Sequence, residues 1–125
     1  MGGGKPATKS LGDAAEERAL AHVSSLGMRL ISRNYRVGGG PHRRGGEIDL
    51  ICRDADGTLV FVEVRGRAHG SHGGAAASIG AAKRRRIVFA AQHFLCTLPQ
   101  LPACRFDVVA IDGDAIEWLK AAFSA

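Results

Sequence analysis

The sequence predicts a single α/β domain whose elements run helix, strand, strand, strand, helix, strand, helix. Three observations predict it: an amphipathic helical stretch over residues 13–27, two alternating β-branched runs joined by Asp54-Ala55-Asp56-Gly57, and a second long helical stretch ahead of RFDVVAID. At 125 residues with 46% hydrophobic residues, the chain is long enough for one core and too short for two full domains.

Each element has a local cause. Residues 1–11, rich in glycine, are expected to form a flexible tail, and residues 12–125 the domain. In DAAEERALAHVSSLG, residues Ala15, Ala19, Val23 and Leu26 fall on one helix face, Asp13 is the expected N-cap, and Gly27 terminates the helix. MRLISRNYR reads as a strand. VGGGPHRRGG, which carries Arg43 and Arg44, is a loop because its glycines and proline forbid regular structure. EIDLICR and TLVFVEVRGR then read as a hairpin. After a glycine-rich loop over residues 66–78, Ser78 is expected to cap a helix reaching about Leu98, with Ile79, Ile87, Ala91, Phe94 and Leu98 as its apolar stripe. Pro99 and Pro102 end it. RFDVVAID is a further strand, DGD a turn, and AIEWLKAAF a short closing helix.

The charge has a direction. There are 17 Lys+Arg against 12 Asp+Glu, a net charge of +5, and residues 29–86 alone hold 12 basic against 5 acidic groups. Arginine supplies 13 of the 17 basic residues, and its planar fork suits phosphate better than an ammonium does. Nucleic acid is the polyanion this distribution points to, with a merely solvated arginine-rich surface as the alternative. The three cysteines match no zinc or redox spacing and argue for a reducing, cytoplasmic setting. MGGGKPATKS lacks the apolar core of a signal peptide, and no apolar run approaches the ~20 residues of a membrane span, so no membrane partner is expected.

The hairpin carries the chemistry. Alternation puts Glu47, Asp49 and Ile51 on one face of its first strand and Phe61, Glu63 and Arg65 on one face of its second. The opposite faces, Ile48 with Leu50 and Val60, Val62 with Val64, are purely apolar. A three-residue turn, Ala55 to Gly57, with Gly57 left-handed, sets Asp49 directly across from Glu63. Two carboxylates with Cβ atoms ~5 Å apart are destabilising unless something positive bridges them. A hard divalent cation with oxygen ligands would do so. An ordinary ion-pair cluster with Arg65 is the alternative, although carboxylates among strongly apolar neighbours need a specific partner.

Five blocks, GGEIDL with Asp49, VFVEVRGR with Glu63 and Arg65, GGAAAS, KRRR and CRFDVVAI, resemble the YraN family over about residues 12–123. That family is related in sequence and expected fold to archaeal Holliday-junction resolvases and other PD-(D/E)XK nucleases. The resemblance implies a restriction-endonuclease-like three-layer α/β fold, order αβββαβα, with a central mixed sheet flanked by helices. It also implies a metal-dependent endonuclease acting on structured or branched DNA. Asp49 and Glu63 would be ligands of Mg²⁺, with Mn²⁺ as a substitute, Glu16 a further acid, and the Val64 carbonyl another ligand.

Arg65 stands where such sites usually place lysine. Its guanidinium stays protonated, so it can stabilise charge on a phosphate but cannot act as a general base. Lys83 lies four residues after Ile79 and four before Ile87, on the inward stripe, where its amine can reach the site. Arg84, Arg85 and Arg86 sit near a helix N-terminus, where the dipole disfavours cations by a few tenths of a kcal/mol each and an anionic ligand would bring relief. With Arg43, Arg44 and Arg67 they are the expected DNA contacts; snorkelling on a solvated face is the alternative for the helix arginines. Glu16 has a second reading as the N3 acid of a capping box with Asp13, and Glu17 would face solvent. Asp107 lies either near the active edge of the sheet or in an ion pair with Arg105. His69 and His72 lack a third zinc ligand, and the loop over residues 38–46 lacks the lysine and hydroxyl of a phosphate-binding loop. Cys52, Cys96 and Cys104 read as core or surface thiols. A two-fold symmetric junction would favour a homodimer. Two other classes stay open: a non-catalytic nucleic-acid-binding module with a vestigial nuclease site, and a protein-interaction subunit.

Overall fold

The structure, a computed structural model, describes residues 7–39, 45–67 and 79–125. They form α1 (Ala7–Ser25), β1 (Arg29–Val37), β2 (Gly46–Arg53), β3 (Leu59–Arg67), α2 (Ala81–Leu95), β4 (Cys104–Asp112) and β5 (Ala115–Phe123). Arg43, Arg44, His69, His72, Ser78 and the side chain of Arg67 lie outside the described residues.

The turn between β2 and β3 sets the centre of the sheet. Gly57 takes φ 92°, Asp54 and Thr58 close the turn through a 2.8 Å backbone bond, and Arg53 pairs with Leu59, so the three-residue loop forms as the sequence predicts. The strands lie in the order β1-β2-β3-β4-β5. Only β3 and β4 run parallel, and α2 supplies the crossover between them. The sheet is therefore mixed. On one face Ala19 and Val23 of α1 pack on Leu50, Cys52, Val60, Val62, Val109 and Ile111. On the other, Ile87, Ala90 and Ala91 of α2 pack on Ile48, Ile51, Phe61 and Phe106. This three-layer α/β arrangement is the restriction-endonuclease-like fold expected. Among the described residues no helix is long and apolar enough to cross a membrane.

Three details differ from expectation. The last segment is a strand, so the observed order is αβββαββ. Helix propensity in AIEWLKAAF is a weak prior, and it loses to the open edge of β4, reached through a two-residue turn with Gly113 at φ 59°. Phe123 then stacks on Phe106 with centroids 5.0 Å apart. At the N-terminus, α1 begins at Ala7, so residues 7–11 are helical and Asp13 lies within the helix rather than at the N-cap position that the capping-box reading needs. Its C-terminus does behave as predicted: Gly27 at φ 107° lets Met28 N–H reach back to the Val23 carbonyl at 3.1 Å. The same reversal leaves Leu26 exposed and buries Met28 in its place. Finally, α2 starts after Gly80 and stops at Leu95, so Ile79 is buried ahead of the helix against Val108 and Ala110.

Candidate functional site

The site lies where β2 and β3 fork. Their ladder runs from Arg53↔Leu59 to Leu50↔Val62, and then backbone pairing stops. One residue further on, Asp49 Oδ2 accepts the Val64 N–H at 2.8 Å, so a side chain takes the place of a strand carbonyl. Alternation breaks at the same point. Leu50 packs on the α1 side, but Ile48 packs with Ile51 on the α2 side, contrary to the expectation that Ile48 shares a face with Leu50. β1 changes phase in step: Arg33 faces the α1 acids, Tyr35 meets Phe94 of α2, and Asn34 between them has φ 52°. A left-handed asparagine is tolerated where most side chains are strained.

The fork brings two acids together in a nearly dry place. Glu63 is only 4% exposed, and Asp49 is largely buried beside it. Burial, then the Asp49 charge, push the Glu63 carboxyl up to about 8. Burial also raises Asp49, against the Val64 N–H and the positive charge of Lys83.

Cations from two elements approach the pair. Lys83, in the first turns of α2, sets its Nζ 3.5 Å from Glu63 Oε2, as its inward spacing predicts. Arg65, two residues along β3, is half-buried and its charge acts on Glu63 in the same sense as Lys83. The second oxygen, Glu63 Oε1, is buried and accepts no hydrogen bond from any described residue. An orphaned carboxyl oxygen beside a second acid and close to the Val64 backbone suits a hard divalent cation, whose charge would favour the ionised form.

Glu16 stands apart. Its Oε1 lies 3.6 Å from Arg33 Nη2, while Glu17, exposed as expected, takes Arg33 Nη1 at 2.6 Å. With the Asn34 amide oriented nitrogen-first, it donates to both Glu16 oxygens at 3.2 Å. Among the described residues no three of Asp, Glu, His or Cys form a metal-binding cluster, so Glu16 is not grouped with Asp49 and Glu63. Asp107 is structural: fully buried, it accepts from Arg105 Nε at 3.0 Å, Trp118 Nε1 at 2.9 Å and Ala121 N–H at 2.9 Å. Cys52 is a core thiol, pushed up to about 11 by burial, and Cys96 and Cys104 are exposed.

The three helix arginines line three clefts, and Arg85 and Arg86 share one of about 220 Å³ with Gly45, Ala82 and Phe89. Arg86, with Lys83, Arg36, Glu47 and glycines 38, 45 and 46, lines a groove of about 430 Å³. Arg84 and Arg85 line a different cleft of about 380 Å³ with Val88, Phe89 and the C-terminus. Sequence reasoning missed Arg36 and Asn34. The strand pattern offered no signal for Arg36, whereas an asparagine in an otherwise β-rich run was a usable hint of left-handed backbone.

A family model described as "Uncharacterised protein family UPF0102" matches residues 15–111. A UPF0102 protein of Paracidovorax citrulli is 64% identical over 121 residues, covering 97% of this chain and 87% of that protein. One from Methylibium petroleiphilum is 61% identical over 118 residues, covering 94% and 97% respectively. A third, from an Acidovorax species, is 57% identical over 127 residues, covering 100% and 94%.

Proposed function

The chain belongs to the UPF0102, or YraN, family, and from that premise and the forked acid pair we propose that it is a metal-dependent endonuclease acting on structured or branched DNA. One observation carries the reading: Glu63 Oε1 is buried next to Asp49 with no hydrogen-bond partner among the described residues, in a place where two charged carboxylates call for a specific cation. Asp49, Glu63 and the Val64 carbonyl are the groups that would hold Mg²⁺ or Mn²⁺. Bound there, such an ion polarises a phosphate oxygen and lowers the pKa of an attacking water.

The chain's own residues supply the rest. Val64 N–H fixes the orientation of the Asp49 carboxylate. Lys83 holds Glu63 by one oxygen, which leaves the other aimed at the ligand position. Arg65 is permanently charged and suits the developing charge on a phosphate. Incubating the protein with fluorescent four-way junctions, flaps and duplexes in Mg²⁺ or Mn²⁺ tests the reading: strand scission is expected, lost in Asp49→Ala and in Glu63→Ala. Scission that survives both substitutions overturns it.

The Lys83–Glu63 ion pair supports a second reading. A lysine already 3.5 Å from the acid can neutralise it without a metal, as in a nucleic-acid-binding module that keeps the fork but no longer cuts. Salt-dependent DNA binding with no scission in either metal would select that reading.

A further inference from the structure

We propose that the groove between β1, β2 and α2 is the track for one phosphodiester strand of a nucleic acid, gripped by Arg36 and Arg86 and joined to the acid pair by Lys83. The proposal rests on the functional reading above only for where the track leads; the binding itself stands on the groove.

Three cations and one acid line this open groove of about 430 Å³, and an open cationic groove suits a polyanionic strand better than a small enclosed ligand. The acid, Glu47, is 3.7 Å from Arg36 Nε, but both side chains are well exposed, so their pairing is weak and yields readily to a phosphate. Lys83 and Arg86 are three residues apart on α2 and so share a face, with Lys83 also touching Glu63. The floor is glycine for a steric reason: a Cβ on Gly46 would collide with the Arg86 carbonyl, and one on Gly45 with the Val37 carbonyl. Close packing of β2 against α2 therefore sets the Arg86 backbone at the groove. Arg84 and Arg85 line another cleft and Arg85 shares a smaller one with Arg86, so of the triplet only Arg86 lines the groove itself.

The test is fluorescence anisotropy of the full chain with labelled single-stranded DNA and a labelled four-way junction in EDTA, across a salt series. Arg36→Ala and Arg86→Ala should each weaken binding about fivefold and reduce the slope of log K against log[salt] by about 0.7–0.9, while Arg86→Lys restores the slope. Arg29→Ala, at the far end of β1, should change neither. Loss of binding in Arg84→Ala and Arg85→Ala with Arg36→Ala and Arg86→Ala unaffected overturns the track, as does a chain that binds neither DNA. EDTA separates the two readings. Failure to cut in Mg²⁺ with the Arg36 and Arg86 dependence intact removes the nuclease and leaves the track; scission indifferent to both arginines removes the track and leaves the nuclease.

Discussion

Glu63 is held where its charged form is costly. Its folded-state carboxyl sits at about 8 against an ordinary 4.5 because of burial and the neighbouring Asp49. Below about pH 4.5 the group is protonated in both folded and unfolded chains, and its favourable contribution is fully present. As the pH rises toward 8 the unfolded chain gives up the proton while the folded chain keeps it, so stability falls through that window. Asp49 is shifted in the same direction and adds to the same trend. Glu63→Gln should therefore raise Tm near pH 8, by an amount corresponding to roughly 1–3 kcal/mol, and have little effect near pH 4, read from thermal melts across the range. A Glu63→Gln chain whose melting temperature tracks the parent at every pH would mean that the acid is not held as described. Asp49, Glu63 and Lys83 were legible in the sequence because a two-residue period and a four-residue spacing are local rules. The break of alternation at Asn34 and Asp49 was not legible, since it arises from two strands changing phase together.

At the scale of elements, Asp107 shows why the last segment was misread. Its carboxylate accepts from Arg105 on its own strand and from Trp118 and the Ala121 N–H on β5, which bulges by two extra residues between Leu119 and Phe123, opposite Asp107. Ala121 adopts φ 51° there. A buried charge in β4 thus pins a strand whose composition favours a helix, and that long-range partner is invisible to a reading of residues 115–123 alone. Asp107→Ala should cost about 3 kcal/mol, because the Trp118 and Ala121 N–H groups lose their acceptor and Arg105 keeps only Asp54, and the Trp118 fluorescence should shift as the indole N–H loses its acceptor. Unchanged stability and emission would show that β5 does not depend on this hub. The contact between β2 and α2 makes a parallel case: Gly46→Ala places a methyl against the Arg86 carbonyl and Ala90, so a cost of roughly 2 kcal/mol is expected in denaturant melts. The glycine pair was read from sequence only as loop, since nothing local announces how closely a helix will approach.

For the whole molecule, the acid pair sets stability against function. Apolar clusters cover both faces of the sheet, yet the fork confines two acids and leaves Glu63 Oε1 buried with no hydrogen-bond partner among the described residues. Natural sites of this kind keep such strain where a ligand relieves it. A divalent ion that binds the folded chain and not the unfolded one stabilises it by about 1.4 kcal/mol at tenfold excess over Kd, or about 5 °C in Tm for a chain of this size. The double variant Asp49→Asn with Glu63→Gln should melt higher than the parent at pH 8 without metal, and should show no further shift on adding Mg²⁺ or Mn²⁺. Its DNA binding in EDTA should persist, because Arg36 and Arg86 line a groove that the substitutions leave intact. Equal metal-induced shifts in parent and variant would place the ion elsewhere on the chain, and no shift in the parent would mean that the chain's own cations, Lys83 and Arg65, suffice for the pair.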